Sequence, residues 1–145
     1  MGKNKKIKTV LEDVKVNIKI KLSALWASLI FFFIYGDIFY FYKAGQLESV
    51  MAGNVGPFQA TQYTLVGLSL FMAVPFIMVF LSLVLKPNVN KWTNIIIGIL
   101  YLIANAVSAF TDSMAFFIIY GVLESAILIL IIVFAFRWPK VNAKN

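Results

Sequence analysis

Cysteine and histidine are both absent from this chain of 145 residues, and their absence narrows the chemistry that it can perform. Without cysteine there are no disulfides, no thiol redox catalysis and no thiolate ligands for an iron–sulfur cluster. Without histidine, haem ligation by imidazole and the usual zinc sites are excluded, which leaves only oxygen ligands. We therefore predict no metal site and no cofactor.

Charge is also scarce: charged residues are 13% of the chain, hydrophobic residues are 61% and the mean hydropathy is +0.89. A soluble domain has about 25% charged residues and about 45–50% apolar ones. A span needs about 20 helical residues to cross a hydrocarbon core of about 30 Å. The predicted spans are residues 22–42, 63–85, 92–111 and 115–137. The predicted fold class is an all-α integral membrane protein, a bundle of four transmembrane helices.

The predicted domain organisation places a basic segment, residues 1–21, before the transmembrane domain of residues 22–138 and a tail of residues 139–145. Thr9 and Glu12 have the spacing of a helix capping box. We predict that the basic segment forms an amphipathic helix on the membrane surface. Its apolar face would consist of Ile7, Val10, Leu11, Val14 and Ile18. The alternation from Val14 to Ile20 leaves a strand as the alternative.

The distribution of positive charge predicts the orientation. Of 13 lysine and arginine residues, only Lys43 lies in a loop on the side opposite both termini. Because basic residues near spans stay in the cytoplasm, we predict both termini inside and location in the cell (inner, cytoplasmic) membrane. Tryptophan and tyrosine residues fall at opposite ends of the spans, as expected for aromatic side chains at the two membrane–water interfaces. The residues are Trp26, Trp92 and Trp138 at the predicted cytoplasmic ends, and Tyr40, Tyr42 and Tyr63 at the predicted outer ends.

The predicted partner follows from the same charges. The net charge of +7 reflects this topology rather than affinity for nucleic acid. Basic residues beside a membrane span attract anionic lipid headgroups at the cytoplasmic leaflet. We therefore predict contacts of the basic segment with such headgroups in the lipid bilayer, and no nucleic-acid partner.

Two carboxyl groups within the spans are the main functional clue. Asp37 lies in the first span and Glu124 in the fourth, with no lysine or arginine at that depth to pair with them. An ionisable group at the centre of a membrane helix costs about 2.5–3.5 kcal/mol on insertion scales and tends to face a cavity, a partner or a substrate. A helical rise of about 1.5 Å per residue places Asp37 about 7 Å and Glu124 about 13 Å from the outer ends of their spans.

Other polar residues fall in the same outer half. Asn105 lies about 9 Å from the outer end of the third span by the same rise. Tyr101 and Tyr120 lie four residues before Asn105 and Glu124, which places each phenol on the face of its polar neighbour. The candidate ligand- or proton-binding residues are therefore Glu124, Asp37, Asn105, Tyr120 and Tyr101. For Asn105 and the tyrosines the favoured alternative is a role in holding helices together.

Pro75 interrupts the second span near its middle. Proline removes one backbone hydrogen bond and crowds the carbonyl group four residues earlier, here that of Phe71, so we predict a kinked second helix. The kink could shape a cavity, serve as a hinge or be tolerated packing. Small residues four apart, such as Gly121 and Ser125, allow close helix contact and leave a homo-oligomer open.

Several strings resemble a family of small bacterial four-span membrane proteins of unknown function, over roughly residues 21–138. These strings are KLSALW at 21–26, YGDIF at 35–39, MAG at 51–53, QATQ at 59–62, PFIMVFLS at 75–82 and NKWTNI at 90–95. The resemblance implies a membrane protein without a stated activity. In that family an acidic residue often lies two positions before the second-span proline, where this chain has Ala73. The four-span layout is also distantly similar to the DoxX-like group.

Three classes of function remain open. The first is binding or transport of a small apolar or cationic molecule, a lipid or a proton in an outward-opening polar pocket, with Glu124 as the main charge. The alternative is a membrane enzyme that uses the carboxyl pair for proton transfer on a lipid-like substrate. A non-catalytic structural or partner subunit is the third option. We favour binding or transport over catalysis.

Overall fold

The computed structural model describes residues 13–109 and 114–140, which form helices and one short hairpin. The helices are α1 (Ile18–Tyr40), α2 (Gln46–Met51), α3 (Gln62–Val84), α4 (Pro87–Ala109) and α5 (Ala115–Phe136). Strands β1 (Asn54–Val55) and β2 (Phe58–Gln59) pair antiparallel, with Asn54 opposite Gln59 and Val55 opposite Phe58.

Helices α1, α3, α4 and α5 are each long and apolar enough to cross a membrane. The chain is thus an all-α protein whose composition and helix lengths indicate a multi-pass membrane protein. Each of the four predicted spans corresponds to one of these helices. The largest difference is at α4, which begins at Pro87 where the predicted span begins at Trp92. Proline suits the first position of a helix because its missing N–H would have no partner there.

We call the end of the bundle where α1 and α4 begin the basic end, and the opposite end, which carries α2 and the β1–β2 hairpin, the hairpin end. At the basic end, the ammonium group of Lys19 in α1 donates hydrogen bonds to the carbonyl oxygens of Leu83, at 3.1 Å, and Leu85, at 2.7 Å. Carbonyl groups in the last turn of a helix lack partners within it. Lys19 therefore caps α3 and ties its last turn to the first turn of α1.

Helix α1 packs along both α3 and α5, and α5 packs along α4, whereas the backbones of α3 and α4 approach each other at only a few positions. A fully buried apolar core fills the half of the bundle nearer the basic end. Its side chains are Leu22, Trp26, Leu29, Met78, Leu128, Ile131 and Ala135. Gly98 brings α4 close to α5, because a Cβ atom at this position would lie 2.9 Å from Cγ1 of Ile132.

A cluster of hydrogen-bonded polar side chains lies inside this core. We call Trp26, Ser82, Asn90 and Asn94 the buried amide cluster; each is fully shielded from solvent. Oδ1 of Asn94 accepts hydrogen bonds from the indole N–H of Trp26, at 2.7 Å, and from the hydroxyl of Ser82, at 3.3 Å. Nδ2 of Asn94 donates to the carbonyl oxygen of Asn90 at 2.9 Å, and Nδ2 of Asn90 donates to that of Ser82 at 2.6 Å. The cluster therefore joins α1, α3 and α4.

The cluster corrects the sequence prediction for one tryptophan. Trp26 is fully buried, so it is not an interfacial ring, whereas Trp92 is 53% exposed. A buried indole N–H normally finds a hydrogen-bond acceptor, and here the acceptor comes from Asn94 of α4. One of the three tryptophans predicted at the cytoplasmic interface is therefore a core residue.

The connection between α1 and α3 turns at three glycines with positive φ, namely Gly45, Gly53 and Gly56. Gly45 and Gly53 flank α2. The β1–β2 hairpin that follows was not predicted.

The segment before α1 differs from its prediction. Residues 13–17 form neither helix nor strand, and α1 begins at Ile18, after Asn17. The side chain of Asn17 accepts a hydrogen bond from the backbone N–H of Lys19 at 2.9 Å, so it acts as an N-cap. The predicted amphipathic helix is therefore wrong for residues 13–17, and its earlier part lies outside the described residues.

Candidate functional site

A cavity of about 160 Å³ lies in the half of the bundle nearer the hairpin end, among α1, α3, α4 and α5. All the candidate residues predicted from sequence line this one cavity: Asp37, Tyr101, Asn105, Tyr120 and Glu124. The helical register brings them together, because α1 and α4 approach their ends at this level while α5 is beginning. Phe71 and Met72, near the middle of α3, complete one wall.

The two carboxyl groups face the cavity without a protein donor. Within residues 13–109 and 114–140, no group donates a hydrogen bond to Asp37 or Glu124 and no cation pairs with them. Asp37 is exposed and Glu124 is half-buried, in keeping with the greater depth of Glu124 along its helix. The acceptor capacity of both carboxyl groups is therefore available to water or to a ligand.

Gly36 of α1 lies next to both Tyr120 and Glu124. A Cβ atom at Gly36 would lie 3.5 Å from Cδ1 of Tyr120 and 4.0 Å from Oε1 of Glu124. A side chain larger than alanine at position 36 would extend into the space in front of the Glu124 carboxyl group. Sequence reasoning did not select Gly36, although a glycine directly before an acidic residue in a span was the available signal.

Asn105 joins two helices at the cavity wall. Its Nδ2 atom donates to the carbonyl oxygen of Gly121 at 3.0 Å and to the hydroxyl of Ser125 at 3.2 Å. A Cβ atom at Gly121 would lie 3.5 Å from Oδ1 of Asn105, an ordinary contact distance, so this approach does not itself require a glycine. The amide nitrogen of Asn105 is thus engaged in α4–α5 packing, which agrees with the structural alternative weighed for this residue.

Tyr120 contributes a ring rather than a hydrogen bond. The ring packs edge-to-face against Phe32 and Phe39 of α1, with centroid distances of 5.5 Å and 6.0 Å. Tyr120 and Glu124 share a face of α5, yet no hydrogen bond joins their side chains in the described part of the chain. Tyr120 therefore forms an aromatic wall beside the carboxyl group.

Tyr101 compensates for the proline in α3. Helix α3 continues through Pro75, which has no N–H to donate to the carbonyl oxygen of Phe71. The hydroxyl of Tyr101 donates to that oxygen instead. The rings of Phe71 and Tyr101 also stack, with centroids 4.6 Å apart. This contact supports the structural role for Tyr101, while the predicted bend of α3 stays a prediction.

We expect Tyr101→Phe and Pro75→Ala to be energetically coupled. Tyr101→Phe leaves the Phe71 carbonyl group without a donor and should destabilise the bundle by about 0.6–1.7 kcal/mol, the range for hydrogen bonds between membrane helices. In a Pro75→Ala background the backbone N–H of the introduced alanine supplies the donor, so the same substitution should cost much less. Unfolding of the four proteins of this double-mutant cycle in detergent measures the difference. Equal costs of Tyr101→Phe in both backgrounds would contradict the assignment.

Among the residues that the structure describes, no group of three or more acidic side chains is placed to hold a metal ion. The oxygen atoms that line the cavity belong to the two carboxyl groups and to the side chains of Asn105, Ser108, Tyr101 and Tyr120.

Comparison with known families decides where the chain belongs. The model of a family of unknown function, DUF6326, matches residues 10–144. The chain belongs to this family. The sequence resemblance to an uncharacterised family is thereby confirmed, while the distant likeness to the DoxX-like group is not shown. No curated protein and no solved structure matches the chain. Membership of DUF6326 brings no activity with it, so the function has to be inferred from the cavity.

Proposed function

We propose that this DUF6326 protein binds a small organic cation in the cavity, with Glu124 as the main counter-charge and Asp37 as a second one. The observation that carries the proposal is the pair of carboxyl groups that face one cavity without a donor from the described residues. No lysine or arginine of the described ranges lines the cavity. A cation is therefore the ligand whose charge complements that of the cavity.

The aromatic wall favours the same class of ligand. Phe33, Phe71 and Phe117 line the cavity beside Tyr101 and Tyr120. A cation over the face of an aromatic ring gains about 0.5–1 kcal/mol at exposed sites and about 2 kcal/mol or more where water is excluded. Quaternary ammonium groups are well suited to such surroundings, because they are weakly hydrated and offer methyl groups to the rings.

The size of the cavity limits the ligand. Its volume of about 160 Å³ is close to the roughly 150 Å³ of an engineered protein cavity that accepts benzene. Pockets for drug-sized molecules have volumes of about 300–1,000 Å³. We therefore propose an alkylammonium head of this size rather than a whole lipid or a large polycyclic cation.

Binding is the part of the proposal that the cavity supports directly, and transport is its extension. The cavity occupies only the half of the bundle nearer the hairpin end, while the buried apolar core and the buried amide cluster fill the other half. Passage of a ligand across the bundle would require these residues to repack. Uptake of the cation into vesicles containing the protein distinguishes transport from binding.

A matched pair of ligands tests the proposal. Choline and 3,3-dimethylbutan-1-ol have nearly the same shape, but only choline carries a charge. We expect choline to raise the melting temperature of the purified protein at concentrations where the neutral alcohol does not, because only the cation interacts with the carboxyl groups. Equal effects of the two compounds, or no effect of choline and of a series of shorter alkylammonium ions, would overturn the proposal.

We also propose that both termini lie in the cytoplasm and that the cavity opens to the outside of the cell. This orientation is supported by the basic end, which carries every lysine and arginine of the described residues except Lys43. Opposite orientation would place this charge outside, against the usual bias.

Cysteine labelling tests the orientation. We expect an impermeant maleimide added to intact cells to label Ala52→Cys, because Ala52 is exposed at the hairpin end. The matched control is Asn88→Cys, which is exposed at the basic end and should react only after the membrane is opened. The chain has no native cysteine, so no background residue needs to be removed. The reverse pattern would invert the orientation and the side on which the cavity opens.

A further inference from the structure

A cleft of about 470 Å³ lies at the basic end, on the side of the bundle where the chain enters α1. Lys15, Lys19 and Lys21 line it from this entering segment and the first turn of α1, and Pro87 lines it from the start of α4. Trp138, directly after α5, completes the wall. The cleft is separate from the carboxyl cavity, which lies in the opposite half of the bundle.

The polar groups of this cleft are nearly all donors. Lys19 uses two of its three ammonium protons on the carbonyl groups that end α3, which leaves one. The side-chain oxygen of Asn17 is engaged as an N-cap, which leaves its NH₂ group available. The indole N–H of Trp138 has no acceptor among the described residues. No carboxyl group of the described residues lines the cleft. A group rich in acceptor oxygens and negative charge is the complementary ligand.

We propose that this cleft binds the phosphate headgroup of an anionic membrane lipid. Lys15 and Lys21 supply charge, while Asn17 and Trp138 supply neutral hydrogen-bond donors to phosphate and ester oxygens. The proposal assigns a specific site to the headgroup contact that the basic segment predicts. It does not depend on a ligand in the carboxyl cavity.

The position of the cleft favours a lipid over a soluble anion. The cleft lies at the ends of four apolar helices, where headgroups would surround the protein. The ammonium group of Lys21 lies 5.6 Å from the ring centroid of Phe134, at the border between charged and apolar surface. Ile20, in the first turn of the same helix, is 54% exposed and offers an apolar surface to an acyl chain. Tryptophan near the ends of spans is likewise typical of the headgroup level.

Lipid binding to the full-length protein in detergent tests the proposal. The probes are phosphatidylglycerol, phosphatidylcholine and inorganic phosphate, with lipid retention measured by native mass spectrometry and stability by thermal unfolding. We expect the wild type to retain phosphatidylglycerol in preference to phosphatidylcholine. Direct contact of one cationic donor with a charged group changes affinity by about tenfold or more, so the double variant Lys15→Gln/Lys21→Gln, which removes two such donors from the cleft, should lose about 100-fold. Lys19 is left intact because it caps α3.

A second double variant provides the matched control. Lys86→Gln/Lys91→Gln removes the same charge from the same end of the bundle but from residues that do not line the cleft. It should retain phosphatidylglycerol within about threefold of the wild type, since it changes only the general surface charge. Equal losses in both double variants would overturn the proposal and leave only a net charge effect. Stabilisation by inorganic phosphate as large as that by phosphatidylglycerol would overturn the assignment to a lipid. Equal retention of the two lipids by the wild type would overturn it as well.

Discussion

Trp26→Ala is expected to destabilise the protein by about 3–5 kcal/mol, the usual cost of truncating a fully buried tryptophan. The substitution removes a ring from the centre of the apolar core and leaves Oδ1 of Asn94 without its shortest hydrogen bond. Trp26→Phe should recover most of the packing and leave a smaller loss of about 1–2 kcal/mol from the missing indole N–H. Unfolding of the purified protein in detergent measures both differences.

Trp92→Ala is the matched control for this prediction. Trp92 also lies near the basic end, but 53% of its surface is exposed, so it faces away from the core of the bundle. We expect its loss to cost less than about 1 kcal/mol, as for most surface substitutions. A similar loss of stability for Trp26→Ala and Trp92→Ala would show that the buried amide cluster does not hold the helices together.

Glu124→Gln is expected to have the largest effect on ligand binding. Glutamine preserves the shape of the side chain but removes the counter-charge. Opposite unit charges about 5 Å apart attract by about 3 kcal/mol at an effective dielectric constant of about 20, and desolvation offsets part of this, so choline should lose about 10- to 100-fold in affinity. The stability of the protein without ligand should change little, because no group of the described residues donates a hydrogen bond to Glu124. Ligand-induced thermal stabilisation measures both quantities.

Two other carboxyl variants complete this test. Asp37→Asn should weaken choline binding by less, about fivefold, because Asp37 is exposed and exposed charge pairs contribute about 0–1 kcal/mol. Glu48→Gln removes an exposed carboxyl group from α2, outside the cavity, and should leave binding unchanged. If Glu124→Gln and Glu48→Gln bound choline alike, Glu124 would be a packing residue and the cation proposal would fail.

The candidate cavity could be anticipated because depth in a helix follows from counting residues. The rise of an α-helix is fixed at about 1.5 Å per residue, so the distance of each polar residue from a span end gives its level in the bundle. Residues four apart share a face, which related Tyr101 to Asn105 and Tyr120 to Glu124. These two rules placed residues of three different helices at one level, and the structure brings them to one cavity.

The hydrogen-bond partners of these residues could not be predicted by counting residues along the helices. Which atoms meet across helices depends on the order of helices around the bundle and on their rotation, and spans that are apolar on all faces carry little information about either. The hydrogen bond from Tyr101 to Phe71 and the bonds from Asn105 to α5 are of this kind. Trp26 and Trp92 looked alike in sequence for the same reason.

The buried amide cluster was missed although part of its signal was present. Asn90 and Asn94 are four residues apart, so they share a face of α4 near its start. Their meaning depends on Ser82 and Trp26, which lie on other helices. The prediction for the segment before α1 was wrong for a different reason. Its apolar residues fit one face of a helix, but Asn17 caps α1, so the helix begins only at Ile18.

The bond between Lys19 and the end of α3 would link two stages in the biogenesis of a protein that inserts with its basic end in the cytoplasm. If both termini are cytoplasmic, Lys19 belongs to the positive charges that retain the start of α1 on that side during insertion. Once α3 has also inserted, the same ammonium group receives the carbonyl groups of Leu83 and Leu85. The same positive charge would then first set the orientation of α1 during insertion and afterwards hold the end of α3 against the start of α1. Loss of Lys19 would therefore disturb assembly even in chains that had already inserted in the correct direction.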